Sequence, residues 1–186
     1  MYKRQALSFL EFNNLIKDNS RFINFGLAGA TEDIEIKSIL LINQIKDFAS
    51  STNYHPEILF KTNLKQAKLS TFDYPVKKTN HPELKNTLVD MEASAIFYAA
   101  NKWLTSDRIH LIKVASDHLD PTEFKANKPQ ELANMAFIKV KDLITSFLHE
   151  IESYQQQDWS SSKEVQLLTT DLRLSCLLYT SPSPRD

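Results

Sequence analysis

The 186-residue chain carries 22 Lys+Arg against 23 Asp+Glu, a formal net charge of −1, with 42% hydrophobic and 24% charged residues. That balance fits a soluble globular domain, and without a basic block it excludes nucleic acid or an acidic membrane surface as the main partner. Only two glycines occur, Gly26 and Gly29, where average usage of ~7% would give roughly a dozen. Glycine-rich dinucleotide and P-loop fingerprints are therefore excluded. One cysteine, Cys176, rules out an internal disulfide framework and a Cys-rich zinc site. Neither H-E-x-x-H nor G-x-S-x-G is present, which removes two common hydrolase signatures. No apolar run nears the ~18 residues of a membrane span and no signal-peptide pattern opens the chain, so a cytoplasmic setting is expected.

Met1–Gln5 and Cys176–Asp186 resemble translations of the adaptor used in transposase-based sequencing libraries, and are set aside as non-native scars. On that reading residues 6–175 are an internal fragment. Residues 6–154 are expected to form the domain, with 155–175 a linker and a cut-off helical tail.

Within the body, Leu7, Leu10, Leu15 and Ile16 predict a first helix that ends near Asp18-Asn19-Ser20. Phe22–Ala28 is an apolar run of β-formers and predicts a buried strand entering a tight turn at Gly26-Leu27-Ala28-Gly29. A second strand is expected over Ile36–Phe48. Ser50–Asn86 is polar and Pro-bearing, with one or two short strands, best placed at Lys68–Phe72. Thr87–Met91 reads as a short strand meeting a helix from Glu92 to Leu104, and Ile109–Ala115 as the next buried strand. Pro129 opens the clearest helix, with Leu132, Ala136, Val140, Leu143, Phe147 and Ile151 recurring at helical spacing. Strands alternating with helices imply an α/β domain.

Ligands of open α/β sheets bind beyond the carboxyl ends of strands. The Gly26–Gly29 turn, Asp90-Met91-Glu92 and Ser116-Asp117 all fall at such ends, and form the candidate site. Structural alternatives remain open at each. Glu92 could simply favour a helix dipole, Ser116 and Asp117 could shape the turn to Asp120-Pro121, and two glycines alone are a weak signal.

Leu88-Val89-Asp90-Met91-Glu92-Ala93-Ser94-Ala95-Ile96 resembles the V-[DE]-M-E-[AG]-x-A-[IL] segment of the purine nucleoside phosphorylase and 5′-methylthioadenosine/S-adenosylhomocysteine nucleosidase superfamily. Leu111–Asp117 is similar to that family's later strand ending in Ser-Asp, and Phe22–Ala30 to its earlier strand and glycine turn. The resemblance covers residues 6–152. It implies a three-layer α/β/α domain with a twisted mixed central sheet, and cleavage of a ribosyl N-glycosidic bond. The family's first strands would precede residue 6.

Cleaving the N–C1′ bond leaves positive charge on the sugar and negative charge on the base, so both need stabilising. By the resemblance, Glu92 accepts both ribose hydroxyls, while Asp90 and Met91 flank the ribose. Asp117 is the general acid at N7 of the departing purine, and Ser116 orients it. Gly26, Leu27 and Ala28 border the substrate, and Phe72 or Tyr74 stacks on the base. The acid must be kept protonated near neutral pH by burial or by ligand contacts.

A phosphate nucleophile calls for cationic forks such as Arg. The phosphorylase branch carries Arg two residues before the first turn glycine and Ser or Thr just after it, whereas this chain has Asn24 and Leu27. Arg21 and Arg108 are the only arginines of residues 6–154, and Arg108 sits at the wrong end of its strand. Asn24 fits the hydrolytic branch, which uses water. Leu27 departs from both branches and leaves open a non-catalytic nucleoside-binding relative. The base that activates water is expected in the N-terminal loop, so this fragment is expected to be inactive alone. His118 touches the base or caps a turn. His55-Pro56 and His81-Pro82 are loop residues, and neither metal nor cofactor is expected. The resemblance also implies homo-oligomers.

Overall fold

The computed structural model describes residues 20–156. The predicted first helix, the tail segment Lys163–Leu174 and both supposed scars lie outside the described residues. The chain forms two compact units, Met1–Thr145 and Ser146–Asp186, and the sheet and candidate site belong to the first.

Six strands make one mixed sheet: β1 Phe22–Ala30, β2 Ile39–Asp47, β3 Asn53–Tyr54, β4 Lys65–Thr71, β5 Thr87–Asp90 and β6 Ile109–Asp117. Their order is β3-β2-β4-β5-β1-β6, and β2 also pairs with β6. β1 runs parallel to β6 and antiparallel to β5, while β4 runs parallel to both β2 and β5. The start of β2, Ile39–Leu41, pairs antiparallel with Ile112–Val114, and β2 pairs with β4 from Leu40 to Asp47. By pairing with both β4 and β6, β2 closes the five strands β2-β4-β5-β1-β6 into a ring, with β3 attached to β2 outside it.

Helices pack on this sheet from two sides, giving the expected α/β/α arrangement. Ala93, Phe97, Ala99 and Ala100 of α1 (Ala93–Ala100) share a core with Ala28, Ile42, Ile45, Leu69, Leu88, Ile109, Leu111 and Ala115. Leu132 and Ala136 of α3 (Pro129–Gln156) pack on Val114, Phe25, Leu27 and Ile39. The period of two explains the division along β6, where residues 109, 111 and 115 face one helix and 114 the other. All nine residues of β6 are buried, as a strand covered on both faces requires. Between β6 and α3, the short α2 (Pro121–Ala126) starts with Pro121 at its first turn and Asp120 accepting from Thr122 N at 2.7 Å, a favourable N-cap.

Besides shifts of one to three residues at strand ends, three features differ from the sequence reading. Ile36 and Lys37 precede β2 in a turn, where Lys37 takes a left-handed φ of 70°. α1 ends at Ala100, and a turn carries the chain to Leu104. Most consequential, Gly26–Gly29 is strand throughout, with neither glycine at positive φ. The break is a bulge instead: Ala28 pairs with Ala115 and Gly29 with Asp117, which leaves Ser116 as the extra residue on β6.

Candidate active site

The tips of β1, β5 and β6 open on one cleft of about 700 Å³, lined by Gly26–Gly29, Asp90–Glu92, Lys113, Ser116 and Asp117. Three sequence segments separated by dozens of residues thus converge on a single cavity. Pro75, Val76, Val89, Leu119, Pro121 and Phe124 supply its apolar walls, so a few polar groups face a largely apolar surface, as small-molecule sites generally do.

The bulge shapes the β6 tip. Ser116 Oγ lies 3.0 Å from the carbonyl oxygen of Ala28 and 2.5 Å from Asp117 Oδ1. Asn127 Nδ2 donates to the Ser116 carbonyl at 2.8 Å, tying this tip to the end of α2. Asp117 Oδ2 accepts from Asp120 N at 3.1 Å. Asp117 is held from both sides and still borders the cleft, with 8% of its surface exposed. Gly29 permits this packing: a Cβ there would meet Leu119 Cδ2 at 2.6 Å, whereas one at Gly26 would meet Lys113 Nζ at an ordinary 3.7 Å. Close approach, and not a turn, is what Gly29 supplies.

At the β5 tip the two carboxylates have different surroundings. Asp90 accepts from Thr71 Oγ1 at 2.8 Å and from Ala93 N at 3.1 Å, and its Oδ2 is 3.0 Å from Lys113 Nζ. Both of its oxygens are engaged by the protein, so Asp90 organises the tip although it borders the cleft. Glu92 occupies the N-cap position of α1, yet its side chain makes no capping hydrogen bond. Asp90 performs that task, and Glu92 is exposed in the cleft beside the half-exposed Met91.

Lys113 was not singled out by sequence reasoning. Its side chain is 3% exposed and paired with Asp90, whose side chain is 7% exposed. A lysine in the middle of a strand buried along its whole length was the available signal. Pro75 and Val76 were missed as well, because a Pro-bearing loop gives no sign of where it folds back.

Other expected site residues lie elsewhere. Phe72 is 1% exposed and stacks on Phe48 with ring centroids 4.0 Å apart, packed with Val89 and Leu119 and absent from the cleft lining. Its ring is a core group, so the expected stacking on a base does not fit its position. Tyr74, half exposed, hydrogen-bonds His81 Nε2 at 3.0 Å. The His118 ring lies 3.2 Å from the Ile34 carbonyl oxygen and 3.4 Å from Glu123, outside the cleft lining. Asn24 is buried opposite Leu111 in β1, also away from the cleft. Leu27 borders the cleft while packing towards α3. Among the described residues no group of three or more His, Cys, Asp or Glu could hold a metal ion, and no helix is long and apolar enough to cross a membrane.

Solved structures match this arrangement. A variant of the MTAN of Chlamydia trachomatis bound to MTA is 25% identical, with a TM-score of 0.55 over 68% of this chain and 65% of that one. The same organism's MTAN bound to adenine is 28% identical, with a TM-score of 0.52 over 67% and 64%. The chain has the fold of the nucleoside phosphorylase/MTAN superfamily. An S-adenosylhomocysteine nucleosidase from Streptococcus pyogenes, in complex with 5-methylthiotubericidin, shares the MTAN fold at 18% identity and a TM-score of 0.55, over 73% of each chain. The chain spans less than two thirds of the length of the chlamydial MTAN structures it matches. No family model and no curated protein sequence matches it.

Proposed function

We propose that this chain belongs to an enzyme that hydrolyses the N-glycosidic bond of a purine nucleoside, with 5′-methylthioadenosine or a close thioether analogue as substrate. The observation that carries the reading is the convergence of Glu92 and Asp117 on one cleft from separate strand tips. Chlamydial structures of this fold that contain MTA and adenine support the substrate class.

Glu92 binds the ribose. A vicinal diol offers two O–H donors and a carboxylate offers two acceptor oxygens, so one side chain satisfies both. Its negative charge also stabilises the cationic sugar that develops as the bond breaks. Met91 covers an apolar part of the sugar. Asp117 gives its proton to N7 of the leaving purine. Ser116, whose Oγ lies within hydrogen-bonding distance of both the Ala28 carbonyl and Asp117 Oδ1, orients the carboxyl for this role. Pro75 and Val76 provide an apolar surface for the base in the place first assigned to Phe72.

Water is the preferred nucleophile. No arginine lines the cleft among the described residues, and its one lysine is already paired with Asp90. A phosphate dianion would lack the fork of fixed cations that holds it in place. Asp90, Glu92 and Asp117 each have a task already, so activation of the water falls to a residue outside the described ones. Leu27, apolar where the family places a hydroxyl beside the nucleophile, favours a second reading in which the protein binds nucleosides without cleaving them.

Product analysis separates these readings. The protein, extended to its relatives' length, is incubated with 5′-methylthioadenosine in H₂¹⁸O containing phosphate. Free adenine with ¹⁸O on the sugar at C1′ is the expected outcome. A sugar 1-phosphate would replace hydrolysis by phosphorolysis, and nucleoside binding without released base would establish the second reading.

A further inference from the structure

Leu119 stands where the cleft meets a second cavity. It lines the cleft and also a cavity of about 500 Å³ bounded by Thr31, Asp33, Lys78, His81, Lys85 and His118. Its side chain is 7% exposed and packs with Phe72 and Val89, so the partition is backed by core. Its φ of 56° lies in the left-handed region, where a branched residue is uncommon and glycine is at ease. The Lys78 amide donates to its carbonyl at 3.4 Å.

We propose that Leu119 determines which purines the cleft accepts, by walling off this second cavity from a substituent on the base. The inference rests on the reading of the cleft as a purine site with Asp117 at N7. The N7 edge of adenine also carries the exocyclic N6. A group on N6 therefore extends past the acid towards the residue two positions beyond it at the same strand tip. With leucine there, adenine fits and an N6-aryl or N6-alkyl adenine is crowded. Without it, the two cavities join, and the substituent occupies space bordered by polar and cationic side chains. Phe72 has a consequence for binding under this scheme, as a positioning residue that stiffens the wall and never touches the base.

Calorimetric titration of adenine and N6-benzyladenine into the 186-residue chain and its Leu119→Gly variant tests this. The readout is the ratio of the two dissociation constants within each protein, so a general loss of affinity cancels. The wild-type chain should prefer adenine by about 10-fold or more, the size of discrimination a packed apolar wall supplies. Leu119→Gly, which suits the backbone φ, should bring the ratio near unity or invert it, and Leu119→Met should keep the wild-type preference. Where Leu119→Gly fails to give a cooperative thermal melt, Leu119→Ala takes its place in the same comparison. Equal ratios in wild type and variant, or a wild-type chain without preference, overturn the proposed wall and leave the purine site standing. Failure of the wild-type chain to bind adenine overturns the purine reading, and the wall with it.

Discussion

Asp117→Asn is expected to lower kcat on 5′-methylthioadenosine by about 10²–10⁴-fold, the usual worth of a positioned general acid, in the protein extended to its relatives' length. Asparagine has the same shape and can keep an oxygen towards Asp120 N, which donates to Asp117 Oδ2. What it lacks is a proton that can leave. The KM should therefore move only a few-fold, because the fault lies in the departure of the base and not in its binding. Glu92→Gln should behave differently. The amide keeps one acceptor and turns the other into a donor, so one ribose hydroxyl loses the acceptor for its proton and the forming cation loses its counter-charge. Both kcat and KM should suffer. A nucleoside whose leaving group departs without protonation should escape the Asp117→Asn defect and still show that of Glu92→Gln. Unchanged turnover in Asp117→Asn would remove the acid from the scheme.

Lys113→Ala is expected to have the largest effect on stability. Lys113 Nζ is 3.0 Å from Asp90 Oδ2, with both side chains under a tenth exposed. Removing one partner of a buried pair strands the other charge and typically costs about 3–5 kcal/mol. Thr71 Oγ1 and the Ala93 amide still donate to Asp90, so the lower end of that range applies. For a chain of this size, ~3 kcal/mol corresponds to a fall in Tm of roughly 6–12 °C. Lys113→Met combined with Asp90→Asn should recover most of the loss, since an uncharged pair carries no stranded ion and asparagine can still cap α1. Thermal melts of the wild type, Lys113→Met, Asp90→Asn and the combined variant form the double-mutant cycle. A Lys113→Ala protein with wild-type Tm would mean that the pair contributes nothing to the β5–β6 tip.

Much of the fold was legible because its strands are buried. Ile109–Ala115 is apolar apart from His110 and Lys113, and β6 lies where that run predicts, extended by two residues into the bulge. Leu132, Ala136 and Val140 of the predicted stripe are buried on α3. Features set by tertiary contact were not legible. Gly26 and Gly29 read as a turn because glycine normally punctuates a chain, but here Gly29 yields space to Leu119 inside a strand. Nothing local distinguishes the two uses. The pairing of β2 with both β4 and β6 is likewise a matter of sheet curvature, which strand propensity does not encode.

The site divides along the same line. The residues of the β1, β5 and β6 tips were found because the Leu88–Ile96 and Leu111–Asp117 segments are contiguous, and all of them line one cleft. Residues whose place depends on packing were misread or missed. Phe72 was expected to stack on a base and is instead core, packed with Val89 and Leu119. Lys113 looked, with His110, like a polar interruption of an apolar strand, although its partner Asp90 is 23 positions away and already part of the predicted site. Asp90 shows the converse, a carboxylate in the right motif whose oxygens the protein itself occupies.

The most direct measurement is a crystal structure of the protein with a non-hydrolysable 5′-methylthioadenosine analogue that keeps N7 and both ribose hydroxyls. The account predicts one ligand in the cleft, the two hydroxyls within hydrogen-bonding distance of the Glu92 carboxylate and N7 within reach of Asp117. A ligand bound elsewhere, or in the cleft with its sugar away from Glu92 and its base away from Asp117, would contradict it.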